Sequence, residues 1–174
     1  DSTTALRLTR LNHTAVNPKP LQRQNIDLVC RVFNEKTSAA LKLDFLKTKY
    51  KFEDGTAKLI EVFTQWYKMM NVKSKYASIK YNDICRAPWT MENQNFDTLT
   101  NACSVVKSCT WPTVKGRIQS LTIYIGHAFV NTTEANINAA KYLLQEQSFK
   151  YVLPAVFSQS PLEKFFGQAR QRKG

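Results

Sequence analysis

The chain has 174 residues, 43% of them hydrophobic and 11% aromatic, enough to fill the core of one domain, or of one domain plus part of another, and unlike a disordered segment. Its 25 Lys and Arg against 13 Asp and Glu give a formal charge of +12, which favours a polyanionic partner such as nucleic acid or a phosphate ligand, a solvated basic surface being the blander reading. The longest apolar stretch, Leu121 to Val130, is too short and too polar to span a bilayer, so no membrane partner is expected.

Residues 1–17 alternate Leu6, Leu8 and Leu11 with Arg7, Thr9 and Arg10, as either a short helix or an extended lead. Pro20 suits a first helical turn, and Ile26, Val29, Cys30, Val32, Phe33, Ala40 and Leu41 keep helical spacing, which predicts a helix over about 20–43. A Lys-rich connector follows. Asp54 is the expected N-cap of the next helix, whose stripe runs Leu59, Val62, Phe63, Trp66 and Met70, widened by Ile60 and Tyr67. The basic segment Asn71 to Lys75 closes it, where positive charge meets the negative end of the helix dipole. Residues 76–91 read as a loop with a possible short element, broken at Pro88.

Phe96, Leu99, Ala102, Cys103 and Val106 predict a helix over Asn93 to Lys107. After the break at Trp111-Pro112, Val114, Ile118, Leu121, Ile125 and Phe129 mark a further helix, weakened by β-branched residues. Thr132 or Thr133 is the expected cap of another, buried through Ile137, Ala140, Tyr142, Leu143 and Leu144. Tyr151 to Phe157 is β-prone, a strand or an extended lead, and a final helix begins at Pro161. Six or so helices with almost no strand alternation predict a mainly α fold. The first residue is Asp1 rather than Met, and the last residues read as a helix still running, which points to a piece of a longer protein.

Cys30, Cys85, Cys103 and Cys109 form no CxxC pair, and His13 and His127 have no ligand spacing to them, so a zinc site is not expected and reduced thiols are. Asn12-His13-Thr14 and Asn131-Thr132-Thr133 match the glycosylation tripeptide but read as chance, or as a loop and a helix cap. Ser160-Pro161-Leu162-Glu163 has the spacing of a capping box, with Ser at the N-cap, Pro at N1 and Glu at N3. Glu163 is therefore either a helix cap or a carboxylate with chemistry to do. Asp27, Asp44, Asp83 and Asp97 read as surface residues.

Three stretches in this order resemble the P-element family of DNA transposases, which includes the THAP-domain transposases of animals. They are Leu8 to His13 with Arg23 to Asn34, the helix Phe63 to Asn71, and the terminal Phe157 to Phe166. The likeness covers most of the chain, and the third stretch is the specific one. In that family an all-α insertion that binds GTP interrupts an RNase H-like catalytic domain. The resemblance implies that residues 1–150 are such an insertion and 151–174 the return into the catalytic domain. It implies Glu163 as the third acid of an Asp-Asp-Glu site that holds Mg²⁺, with the two aspartates missing from this chain.

On the same resemblance, Tyr67 stacks on the base and Asn71 hydrogen-bonds to it. Arg10, Ile26 and Asn34 lie on the phosphate side, with Asn25 where a lysine is usual. Lys68 and Ser160 stand where the family has acids, and a lysine offers only donors to a guanine edge, so GTP binding is expected to be weakened or lost. Lys164, Arg170, Arg172 and Lys173 are candidate contacts to transposon DNA phosphates. The full-length protein would be nuclear and homo-oligomeric. The competing expectation is a catalytically inactive, domesticated basic helical module that binds nucleic acid or protein.

Overall fold

The computed structural model describes residue 9 and residues 11–22, 25–43, 54–112, 118–158 and 168. Among these the fold is mainly α, as the periodicity predicts, with one two-stranded hairpin. The helices are α1 (His13–Val16), α2 (Ile26–Val32), α3 (Glu35–Leu41), α4 (Asp54–Met70), α5 (Ala77–Tyr81), α6 (Asn95–Ser108) and α7 (Ile123–Gln145). Strands β1 (Thr110–Pro112) and β2 (Ile118–Ser120) pair antiparallel, with Trp111 opposite Gln119. No helix among the described residues is long and apolar enough to cross a membrane. The chain forms two compact units, Asp1–Gln65 and Trp66–Gly174, with the division falling inside α4.

In the first unit the single helix expected over 20–43 is two helices after a 3-10 turn at Pro20–Gln22. The break is made by Asn34. Its Oδ1 accepts from the Thr37 N–H at 3.0 Å and caps α3, while its Nδ2 donates to the carbonyls of Cys30 and Arg31 at 3.2 and 2.9 Å and closes α2. One side chain thus satisfies orphan groups of two helix ends, which favours a break there over a continuous helix. Asn12 caps α1 through Ala15, so the first tripeptide is a helix start. Inside this unit Ser38 Oγ donates to the Ala57 carbonyl at 3.1 Å, Lys42 pairs with Glu61, and the Phe33 and Phe63 rings meet at 5.3 Å.

In the second unit α6 packs against α7. Met69, Trp89, Phe96, Leu99, Ile137, Ala140 and Val152 make the core, with Trp66, Met70, Cys85, Leu143 and Leu144 against it. Phe96, Leu99, Ala102, Cys103 and Val106 are all buried, as their spacing predicts. Val152 meets Trp89 in an isolated bridge with two N–H···O bonds of 2.9 Å, and a 3-10 turn follows at Pro154–Phe157. The segment expected to be extended is so at this bridge and at Leu153, and is a 3-10 turn from Pro154 onward. The final helix expected from Pro161 lies outside the described residues, apart from Gln168, which is helical.

Two expectations fail between 110 and 145. The stretch expected as a helix from Val114 contains strand β2, and its helical part starts only at Ile123, where Thr122 accepts from the Ile125 N–H. Thr132 and Thr133 start no helix, because α7 runs through them without interruption. The Thr133 hydroxyl is satisfied without a cap: it donates to the Phe129 carbonyl at 2.7 Å and accepts from Trp66 Nε1 at 2.9 Å. The Trp66 and Phe129 rings meet at a tilt of 34° beside it, with centroids 4.5 Å apart. Thr133→Val keeps the shape but strands the indole N–H, with an expected cost of about 1–3 kcal/mol. Chemical denaturation followed by tryptophan fluorescence measures this; a loss below about 0.5 kcal/mol would make the bond an incidental contact.

Candidate functional site

The candidate site builds on the last turns of α4. Asn71 directly follows the last residue of α4, and its N–H donates to the Tyr67 carbonyl at 3.2 Å, so the helical turn continues and sets it one turn beyond Tyr67. Tyr67 is 39% exposed. Asn71 Nδ2 donates to the Tyr67 carbonyl at 2.9 Å, which uses one of its two N–H donors and leaves its Oδ1 an acceptor. The structure therefore brings Tyr67 and Asn71 together.

Lys68 has a different task. Its Nζ lies 2.6 Å from Asp83 Oδ2, and the two side chains are only 15% and 19% exposed. Arg86 Nε is 3.3 Å from the same oxygen, and the Cys85 N–H donates to Asp83 Oδ1 at 3.1 Å. Burial alone would raise the Asp83 pKa. The Lys68 hydrogen bond and charge, helped by the Cys85 N–H and by Arg86, outweigh burial and hold it below its ordinary value. Burial and the Asp83 charge push the neighbouring Cys85 thiol up, so it is not an activated nucleophile.

Asp83 is thus not the surface residue its sequence setting suggests, but the anchor of a half-buried cluster. Its one available signal is that it is the lone acid in a stretch bearing Lys68, Lys73, Lys75, Lys80 and Arg86. Asn82, in the left-handed conformation at φ 47°, ends α5 and turns the chain to deliver Asp83.

The remaining candidates divide between the first unit and residues outside the described set. Ile26 opens α2 and is exposed. Asn34 spends both ends of its amide on the α2–α3 junction, so a nucleotide contact there would compete with three hydrogen bonds. Arg10, Ser160, Glu163, Lys164, Arg170, Arg172 and Lys173 all lie outside the described residues. Among the described residues no group of three or more His, Cys, Asp or Glu could hold a metal, and the four cysteines are free thiols.

A cavity of about 480 Å³ opens beside α6 and α7, lined in part by Val106, Thr122, His127, Val130 and Glu134. None of the sequence candidates lines it. Its carboxylate, Glu134, already pairs with Lys107 at 3.3 Å, so the cavity adds little chemistry.

No protein-family model matches the sequence, and no curated protein matches it. Among solved structures the chain is similar to a Drosophila P element transposase strand transfer complex, with a TM-score of 0.68 and 20% identity. The match covers 99% of this chain and 39% of the other, so this chain spans about two fifths of that protein's length. At this identity the likeness is one of fold.

Proposed function

We propose that the chain is part of a P-element-like DNA transposase. Residues 1–150 are its helical insertion, and residues 151–174 are the return into an RNase H-like catalytic domain. The observation that carries this reading is the fold likeness to a P element transposase along nearly the whole chain. The terminal motif around Glu163 supports it independently.

In this reading Glu163 is the third metal-holding acid, and two aspartates from elsewhere in the parent protein complete the set. With those aspartates Glu163 would hold Mg²⁺, which would supply activation of the attacking oxygen and charge stabilisation of the leaving one for an in-line displacement at phosphorus. Lys164, Arg170, Arg172 and Lys173 hold transposon DNA by its phosphates, which fixes the strand's position but reads no sequence. Such a protein works in the nucleus as a homo-oligomer.

The family resemblance assigns Tyr67 and Asn71 to the base of a nucleotide and Arg10, Ile26 and Asn34 to its phosphates. Guanine recognition needs an acceptor for N1–H and the 2-amino group. Lys68 supplies none, and its charge is engaged by Asp83. Nucleotide binding therefore rests on stacking and phosphate contacts and distinguishes GTP from ATP weakly. This also favours a second reading, a binding module that has lost its chemistry.

Cleavage decides between the two. The intact parent protein, given Mg²⁺ or Mn²⁺ and DNA carrying its own transposon ends, is expected to nick and join strands. Binding without any cleavage would leave only the module. A thermal shift series with GTP and ATP checks the nucleotide claim: similar shifts are expected, whereas a shift with GTP alone would refute the loss of guanine selectivity, and no shift at millimolar concentration would remove the nucleotide site.

A further inference from the structure

The segment after α4 contains a cleft that shares Asn71 with the nucleotide reading but is otherwise lined by residues that neither the nucleotide nor the catalytic reading uses. It has a volume of about 290 Å³, and its lining includes Asn71, Lys73, Tyr76, Lys80, Tyr81 and Arg86. No acid lines it. The Asp83 carboxylate, which pairs with the lining residue Arg86, also accepts from Lys68. Lys73, Lys80 and Arg86 thus crowd positive charge into a concave site, with Lys75 beside them, and an anion relieves their mutual repulsion.

The cleft also has aromatic walls. Tyr76 and Tyr81 are 61% and 57% exposed, unusually open for such large rings. The Arg86 guanidinium lies 4.8 Å and Lys80 Nζ 5.4 Å from the Tyr81 ring centre, and Lys75 Nζ lies 4.9 Å from that of Tyr76. Cation and ring therefore come in pairs, which places a phosphate-binding charge next to a stacking surface. The frame is set in advance: the Asp83 N–H donates to the Ser78 carbonyl at 3.0 Å, and the Lys68 to Asp83 pair ties this segment to α4.

We propose that this cleft binds a single strand of nucleic acid, with backbone phosphates on Lys73, Lys80 and Arg86 and bases stacked on Tyr76 and Tyr81. A free phosphate would use the cations but leave both rings bare. A rigid duplex keeps its bases inside the stack, where two exposed tyrosines cannot reach their faces. A strand uses both kinds of wall. This goes beyond the transposase reading, which puts its DNA contacts at residues 164–173, and a metal-free binding assay tests it without any reference to cleavage.

The probe is a fluorescent oligothymidylate of about twelve nucleotides, titrated with the 174-residue chain over a range of salt concentrations. Neutralising three or four phosphates predicts a slope of log K against log salt of roughly −2 to −3 for a single strand. The double variant Tyr76→Ala/Tyr81→Ala is expected to lose about tenfold or more in affinity while keeping the slope. Lys73→Glu/Lys80→Glu is expected to flatten the slope by at least one unit, whereas the charge-matched Lys19→Glu/Lys36→Glu changes it little. Melting curves establish that the variants are folded, as exposed side chains allow. Unchanged affinity in the tyrosine variant, or equal losses in the two lysine variants, would overturn the proposal. So would displacement of the strand by equimolar inorganic phosphate or GTP, or tighter binding of a duplex of the same length.

Discussion

Replacing Glu163 by glutamine in the intact parent protein is expected to lower the rate of DNA strand cleavage about a thousandfold or more, with little change in stability. The substitution separates two roles that the sequence leaves superimposed. Ser160-Pro161-Leu162-Glu163 has the spacing of a capping box, and that box accepts Glu or Gln at its third helical position. E163Q therefore retains the cap to within a few tenths of a kcal/mol. What it removes is the negative charge that a divalent metal requires. Three decades in rate correspond to about 4 kcal/mol of transition-state stabilisation, in the range expected when a metal that stabilises developing charge at phosphorus is misplaced. Glu163→Ala would blur the result, because it loses the cap as well. The measurement is single-turnover cleavage of labelled transposon-end DNA in Mg²⁺, with thermal melting alongside. Cleavage within about fivefold of wild type would reduce Glu163 to a helix cap.

What could be read from the sequence follows from the range of the forces involved. The buried face of α6 shows in the spacing of Phe96, Leu99, Ala102, Cys103 and Val106, because amphipathic periodicity records directly which side faces the core. The division of α2 from α3 is hidden, because the apolar pattern continues through it. Asn34 makes the break, and whether an asparagine caps a helix or sits within one depends on which backbone groups are free nearby. Thr133 misleads for the opposite reason. Threonine suits a cap, but here its hydroxyl serves Trp66, 67 residues earlier in the chain. Ile118, Leu121 and Ile125 fit a helical phase, and only the pairing of residues 118–120 with 110–112 shows the first of them to be in a strand.

The site is legible in the same uneven way. Tyr67 and Asn71 are one turn apart on any helix, so their pairing could be read in advance. Asp83 could not, because its bond to Lys68 depends on the turn at Asn82. Glu163 and the basic tail lie outside the described residues, and their roles rest on the terminal motif and the proposed function.

The Lys68–Asp83 pair supplies the second large prediction. The family resemblance places an acid at position 68, which makes Lys68→Asp the obvious attempt to restore guanine recognition. It is expected instead to destabilise the protein by about 3 kcal/mol, since it exchanges a half-buried ion pair for two carboxylates in contact. For a chain of 174 residues that is a fall of roughly 10 °C in melting temperature. The double swap K68D/D83K reverses the pair and is expected to recover most of the loss, because Arg86 is partly exposed and can turn away from the new lysine. The pH dependence gives an independent check. In the folded wild-type protein the Asp83 pKa is lowered from its ordinary 3.8, so its contribution is present above that pH and is lost as the pH falls through the lower folded value. Protonation also removes the repulsion in K68D. The stability gap between wild type and K68D should therefore be widest near neutrality and close as the pH drops below about 4. Denaturant melts at pH 7, 5 and 3 measure it. A gap that stays constant over that range would mean that Lys68 acts through the packing of its aliphatic stem rather than through its charge.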